Sequence, residues 1–212
     1  FVVNWASWSQ DGSDWGGYLQ RFGANGTKVG IETRIATSSL GPQDGAVITR
    51  LNDGGYMATW EGTGSGDASG IFAQRFDSSW AKVGGETRIN TTTTNLQTDV
   101  AITTLKNGNY VITWQSQPAD NDGDDDTDAP GDIYAQLYKA DGTKIGGETR
   151  VNTTTYGFQE ESRVTALSNG DYLVTWSGNG VGDSSGIFLQ RVNSSGVKVG
   201  SETRINSTTA GN

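Results

Sequence analysis

One seven-residue phrase recurs along this chain. It reads GGETRIN at 84–90, GGETRVN at 146–152 and GSETRIN at 200–206, with a shortened copy, GIETRI, at 30–35. A catalytic motif is needed once, whereas a packing unit is needed as often as the architecture repeats it. Other landmarks keep the same register. Glu32, Glu86, Glu148 and Glu202 are spaced 54, 62 and 54 apart, as are Gln20, Gln74, Gln136 and Gln190. Trp60, Trp114 and Trp176 follow at 54 and 62, with Trp5 55 residues before Trp60. The eight extra residues of the third copy therefore lie between Trp114 and Gln136. The copies run approximately 1–43, 44–97, 98–159 and 160–212, read as one domain.

Within residues 44–95 four runs alternate with turn signals: GAVITRL, YMATW, IFAQRF and GETRIN. Val, Ile, Thr and aromatic residues fill the runs; Gly, Asn and Asp punctuate them. NDGG, KNGN and SNGD suit tight turns between the first and second strands. The unit is thus a four-stranded antiparallel meander of about 54 residues. Four such sheets predict an all-β, four-bladed β-propeller. A β-solenoid is the main rival, but its coils are shorter and its strands parallel. In GETRIN, alternation puts Glu86, Arg88 and Asn90 on one face, where pairing with Arg75 on the neighbouring strand is expected. Counting by copy, the first strand occurs three times and the other three strands four times, so either one blade has three strands or about a dozen residues are missing.

Composition removes several functions. The chain has no His and no Cys, which excludes Ser-His-Asp and Cys-His nucleophilic machinery and ordinary zinc sites. Carboxylates are the acid/base groups that remain. Net charge is −9, which argues against nucleic acid. Apolar runs are only a few residues long, so no membrane insertion is expected. No signal peptide is visible, so any targeting segment has been removed or lies upstream.

The segments GIFAQRFDSSWAKVGGETRINTTTT and GDIYAQLYKADGTKIGGETRVNTTT resemble tandem repeats of large secreted bacterial surface and adhesin proteins. By layout the chain also resembles β-propeller lectins, which repeat one sugar site per blade. The first resemblance implies an extracellular or cell-surface location, and the second implies glycans or glycoconjugates as partners.

Trp5, Trp60, Trp114 and Trp176 end the second strands. They are read either as blade core or as stacking platforms for sugar rings. Each is followed by a Gly/Asp-rich loop, in which Asp67 and Asp183 both stand seven before their Gln; Asp14 and Trp15 play that part in the first copy. Trp8, Trp15 and Trp80 break the repeat. The insertion PADNDGDDDTDAPGD alternates Asp120, Asp122, Asp124, Asp126 and Asp128, a set of oxygen ligands suited to Ca²⁺ or else a solvated acidic loop. Five N-x-S/T sequons occur, at Asn25, Asn90, Asn152, Asn193 and Asn206.

The function expected from these features is a non-catalytic, multivalent carbohydrate-binding lectin or adhesin. The alternative is a calcium-stabilised structural spacer of a secreted surface protein. A glycosidase ranks third, because it needs two carboxylates across a cleft and Glu160-Glu161 is the one non-repeated pair that stands out.

Overall fold

β-Branched and aromatic runs broken by Gly, Asn and Asp form strands wherever the repeat places them. A computed structural model describes residues 1–39, 41–118 and 130–209; among these residues there is no helix. The chain divides into two compact units, Phe1–Thr93 and Thr94–Asn212. The first unit holds a three-stranded sheet, β1 (Val2–Trp8), β2 (Trp15–Phe22) and β3 (Lys28–Arg34). It also holds a four-stranded sheet, β4 (Gln43–Arg50), β5 (Tyr56–Gly64), β6 (Asp67–Phe76) and β7 (Lys82–Arg88). The second unit holds β8 (Asn95–Thr104), β9 (Tyr110–Pro118), β10 (Asp132–Tyr138) and β11 (Lys144–Arg150) in one sheet. Its other sheet is β12 (Gln159–Ala166), β13 (Tyr172–Gly180), β14 (Asp183–Val192) and β15 (Lys198–Arg204).

Every sheet is an antiparallel meander in chain order, one per repeat, as the spacing predicts. The count of three first strands against four of each other strand is matched by the sheets among the described residues. Among the described residues the first sheet has three strands and lacks the counterpart of β4, β8 and β12. Hairpins between first and second strands close at glycine. Leu51 N–H donates to Gly55 O at 2.8 Å, and Gly54 sits at φ 88°, with Gly108 and Gly170 alike at 87° and 94°.

The core lies on the strand faces. Trp60 faces Phe72 across β5 and β6, Trp114 faces Tyr134, and Trp176 faces Phe188. In the first unit Leu19, Ile35, Trp60, Phe72 and Phe76 pack together; in the second, Leu105, Val111, Trp176, Phe188 and Val192 do.

The repeated phrase is a hydrogen-bonding staple. Asn90 Oδ1 accepts from Ile71 N–H at 2.8 Å, while its Nδ2 donates to Asp67 Oδ2 and Thr92 O, both at 2.7 Å. Asn152 repeats this with Ile133, Asp132 and Thr154. Asn206 repeats it with Ile187, Asp183 and Thr208. Arg88 and Arg204 donate to the carbonyls of Gly66 and Gly182, each at 2.7 Å. Glu86 accepts from the amides of Thr37 and Ser38, and Glu202 from Thr153 N–H at 2.6 Å, so each ties its outer strand to the linker of the preceding copy. The expected pairing of this strand with Arg75 is corrected: Arg75 forms an ion pair with Asp53. In the first copy Ala36 stands where the others have Asn, and Arg34 takes over by pairing with Asp11 at 2.9 Å. The sequons at Asn90 and Asn152 are buried and fully engaged, so they are no glycan acceptors in the folded chain.

Among the described residues no helix is long and apolar enough to cross a membrane.

Candidate functional site

Most of the residues expected to hold sugar are consumed by the fold. Trp60, Trp114 and Trp176 are 1–2% exposed and stack on Phe72, Tyr134 and Phe188 at 6.2–6.3 Å. No ring face is open to a ligand, so the platform reading is corrected to core for these three. Trp176 Nε1–H is also satisfied internally, donating to Gln159 Oε1 at 2.7 Å. Trp5 is half-buried against Tyr18. Asp67 is buried and bonded to Asn90 and Ser69 N–H; Asp183 serves Asn206 and Ser185 N–H in the same way. Those bonds, the Asn206 side chain first, hold the Asp183 carboxyl below the usual range. Both aspartates are therefore members of the staple.

The first copy differs. Trp8 and Trp15 stand opposite each other at the β1–β2 hairpin, 61% and 41% exposed, with rings edge to face at 5.5 Å. Asp14 Oδ1 accepts from Trp15 N–H at 2.9 Å, which fixes the hairpin tip. Trp80, the third tryptophan outside the repeat, stacks on Tyr56 at 3.9 Å and belongs to the packing. Asp120, Asp122, Asp124, Asp126 and Asp128 lie outside the described residues. Among the described residues no group of three or more Asp or Glu side chains is placed to hold a metal ion.

The strongest concentration of chemistry is on the first strands. Each of β4, β8 and β12 shifts register once, after Asp44, Thr98 and Glu160. The next residue in each bulge has a left-handed backbone: Gly45 at φ 59°, Asp99 at 54° and Glu161 at 55°. Glycine adopts that conformation freely; aspartate and glutamate adopt it at a cost. Bulges re-aim side chains, and strained non-glycine residues concentrate at functional sites.

In the second unit the bulges of β8 and β12 place Asp99 and Glu161 within electrostatic reach of Glu160. The Glu160 carboxyl is pushed above its ordinary range by burial first, then by the negative charges of Glu161 and Asp99. Ser162 anchors the pair of strands: its hydroxyl bonds Thr113 Oγ1 at 3.1 Å and reaches the Asp99 carbonyl at 3.5 Å. Asp99 is half-buried, whereas Glu160 and Glu161 are exposed residues, so the desolvation of the Glu160 carboxyl is partial. A carboxyl raised by burial and by neighbouring negative charges is the kind of group that acid/base chemistry tunes. Reading the sequence singled out Glu160-Glu161 but missed Asp99. The available signal was positional, since Asp99 and Glu161 occupy the place that glycine holds in the second copy.

No protein-family model matches the chain, and no curated protein sequence matches it. Solved structures do. The chain is similar to a protein of unknown function from Dyadobacter fermentans, with 12% identity and a TM-score of 0.65 over 90% of this chain and 58% of that one. It is similar to an α-L-arabinanase of Penicillium chrysogenum complexed with arabinobiose, at 16% identity and TM-score 0.60, over 96% of this chain and 58% of that one. An α-L-arabinofuranosidase from Lactobacillus brevis matches at 11% identity and TM-score 0.53, over 98% of this chain and 78% of that one. The chain thus spans 58% of the length of the first two. Identities this low concern the fold, and the all-β, four-bladed propeller class expected from the repeat stands, with repeated antiparallel sheets shared with glycoside hydrolase folds.

The functional expectation is corrected. The expectation of a non-catalytic lectin or adhesin is overturned by similar structures that are glycan-cleaving enzymes. The physical reason the first reading failed is that its repeated Trp platforms are core, while the carboxylates it set aside are the groups left facing solvent.

Proposed function

We propose that the chain cleaves glycosidic bonds in a polymeric glycan. Glu160 gives its proton to the leaving oxygen as the glycosidic C–O bond breaks, Asp99 on β8 of the neighbouring sheet takes a proton from the water that adds to the anomeric carbon, and the Glu161 charge helps hold the Glu160 proton. The observation that carries this reading is the placing of Asp99 and Glu161 at strained positive-φ bulge positions, from which their charges act on Glu160. The arabinobiose bound in the similar Penicillium chrysogenum arabinanase supports an arabinan as the first substrate to test. A net charge of −9 favours a neutral polymer over an acidic one. Trp15 with Trp8, steadied by Asp14, is proposed as a separate place where a sugar ring stacks. The likeness of the repeats to those of secreted bacterial surface proteins supports an extracellular setting. Calcium held by Asp120–Asp128 is proposed from the alternating carboxylates alone.

The test is release of reducing ends from linear arabinan, arabinoxylan and xylan. Glu160→Gln is expected to lower the rate by about 10²–10⁴-fold with an unchanged circular dichroism spectrum. Failure to release sugar from any polymer, or an unimpaired Glu160→Gln enzyme, would overturn the assignment.

A further inference from the structure

The fourth copy departs from the repeat at two places that meet in space. Ser201 stands where the second and third copies have Gly85 and Gly147, and Val181 stands where the second has Ser65. Both line a cavity of about 360 Å³, all of whose walls lie between Thr153 and Arg204. Its most buried lining residues are Phe188 and Gln190, each 1% exposed. Gln190 Nε2 is committed to the backbone, donating to Arg191 O at 2.8 Å and to Val199 O and Gly200 O at 3.4 Å. Its Oε1 meets no donor among the described residues and is the polar atom that Gln190 offers to the cavity. The matching atoms Gln74 Oε1 and Gln136 Oε1 are equally unpartnered there but sealed from solvent. Lys198, also on the cavity, gives one of its ammonium N–H groups to Asn152 O at a long 3.4 Å and has others to give. Burial first, then the positive charge of Arg150, holds the Lys198 ammonium below its usual range. Glu202 completes the polar lining, fixed by Thr153 N–H at 2.6 Å and the Thr154 hydroxyl at 2.9 Å.

We infer that this cavity is a second sugar site, which takes one neutral sugar residue of a glycan by its hydroxyls. The unmet groups select that chemistry. A hydroxyl both donates and accepts, so one sugar hydroxyl donates to Gln190 Oε1 while it accepts from Lys198. A neighbouring hydroxyl donates to the Glu202 carboxylate in a charge-assisted bond. An anion only accepts, and it leaves Gln190 Oε1 unmet; an organic cation only donates, and it meets Lys198 with like charge. Phe188 and Val181 offer apolar contact to the C–H face of the ring. Ligand cavities run from roughly 300 to 1,000 Å³, so this one suits a single ring better than a long oligosaccharide. The site is distinct from the carboxylates on β8 and β12. Gln190 on β14 and Lys198 on β15 stand two and three strands from β12, roughly 10–14 Å at the usual strand spacing.

The experiment adds L-arabinose, a neutral sugar with no glycosidic bond to cleave, to the whole isotope-labelled chain. The NMR signals of Lys198 Cε and of the Gln190 side-chain amide are expected to shift and to saturate with sugar, in the parent and equally in Glu160→Gln. The readout is binding alone, so it stands or falls apart from the cleavage reading. Lys198→Met is expected to weaken binding at least about tenfold. Val181→Arg, at a residue 84% exposed, obstructs the cavity without disturbing the core and is expected to abolish binding. Acetate at the same concentration is expected to leave the Gln190 amide signal in place. No saturable shift, a shift that survives both Lys198→Met and Val181→Arg, an equal shift with acetate, or loss of binding in Glu160→Gln would overturn the site.

Discussion

Replacing Asn90 by Ala removes three hydrogen bonds from a residue that is 2% exposed. Ile71 N–H loses its acceptor, the Thr92 carbonyl loses a donor, and the Asp67 carboxylate, itself 8% exposed, keeps the Ser69 amide but loses the Asn90 amide. A neutral buried bond is worth ~1 kcal/mol and one to a charged group ~1.5–3 kcal/mol, so the loss is about 3–5 kcal/mol. Asn206 makes the same three bonds in a half-buried site where water can replace them, so Asn206→Ala costs only about 1–2 kcal/mol. The chain already carries Ala at the matching place, Ala36, where Arg34 and Asp11 pair instead. Urea denaturation followed by circular dichroism and Trp fluorescence measures both variants. Equal costs at the two positions, or a loss below about 1 kcal/mol at Asn90, would refute the view that burial of the staple sets its energetic weight.

Trp60→Ala is expected to cost about 3–5 kcal/mol in the same assay, because it empties a core position, while exposed Trp15→Ala costs less than about 0.5 kcal/mol and instead weakens glycan retention. Glu161→Gly is expected to leave stability unchanged or raise it by up to ~1 kcal/mol, since glycine relieves the φ of 55°, whereas Glu161→Val lowers it. Glu160 titrates high in the folded chain, so its contribution to stability is present at acid pH and lost as pH rises through the folded value. Glu160→Gln removes that dependence, which a pH series of melting temperatures reads. In the proposed cleavage the parent's activity likewise falls as pH rises through the Glu160 value, where the donor loses its proton.

The four-strand period and its register were legible because hydrophobic alternation and turn residues act locally. The hairpins at Gly54, Gly108 and Gly170 are examples. The partners of Glu86, Arg88 and Asn90 were not legible, because Thr37, Gly66 and Asp67 reach them only once strands are registered. The tryptophans were ambiguous for a related reason: a strand-end Trp reads alike as core or platform until the next strand covers it. Asp99 was hidden because one residue at a bulge leaves no periodic trace. Only its alignment with Gly45 and Glu161 marks it, and the backbone angle gives that alignment its meaning.

Titration of the Glu160 carboxyl by carbon NMR tests the carboxylate cluster most directly, without a substrate. The account predicts a value above the ordinary glutamate range that moves back toward it in Asp99→Asn and in Glu161→Gln. A Glu160 carboxyl that titrates at the ordinary value and ignores both substitutions would contradict the cluster, and with it the proposed proton donor.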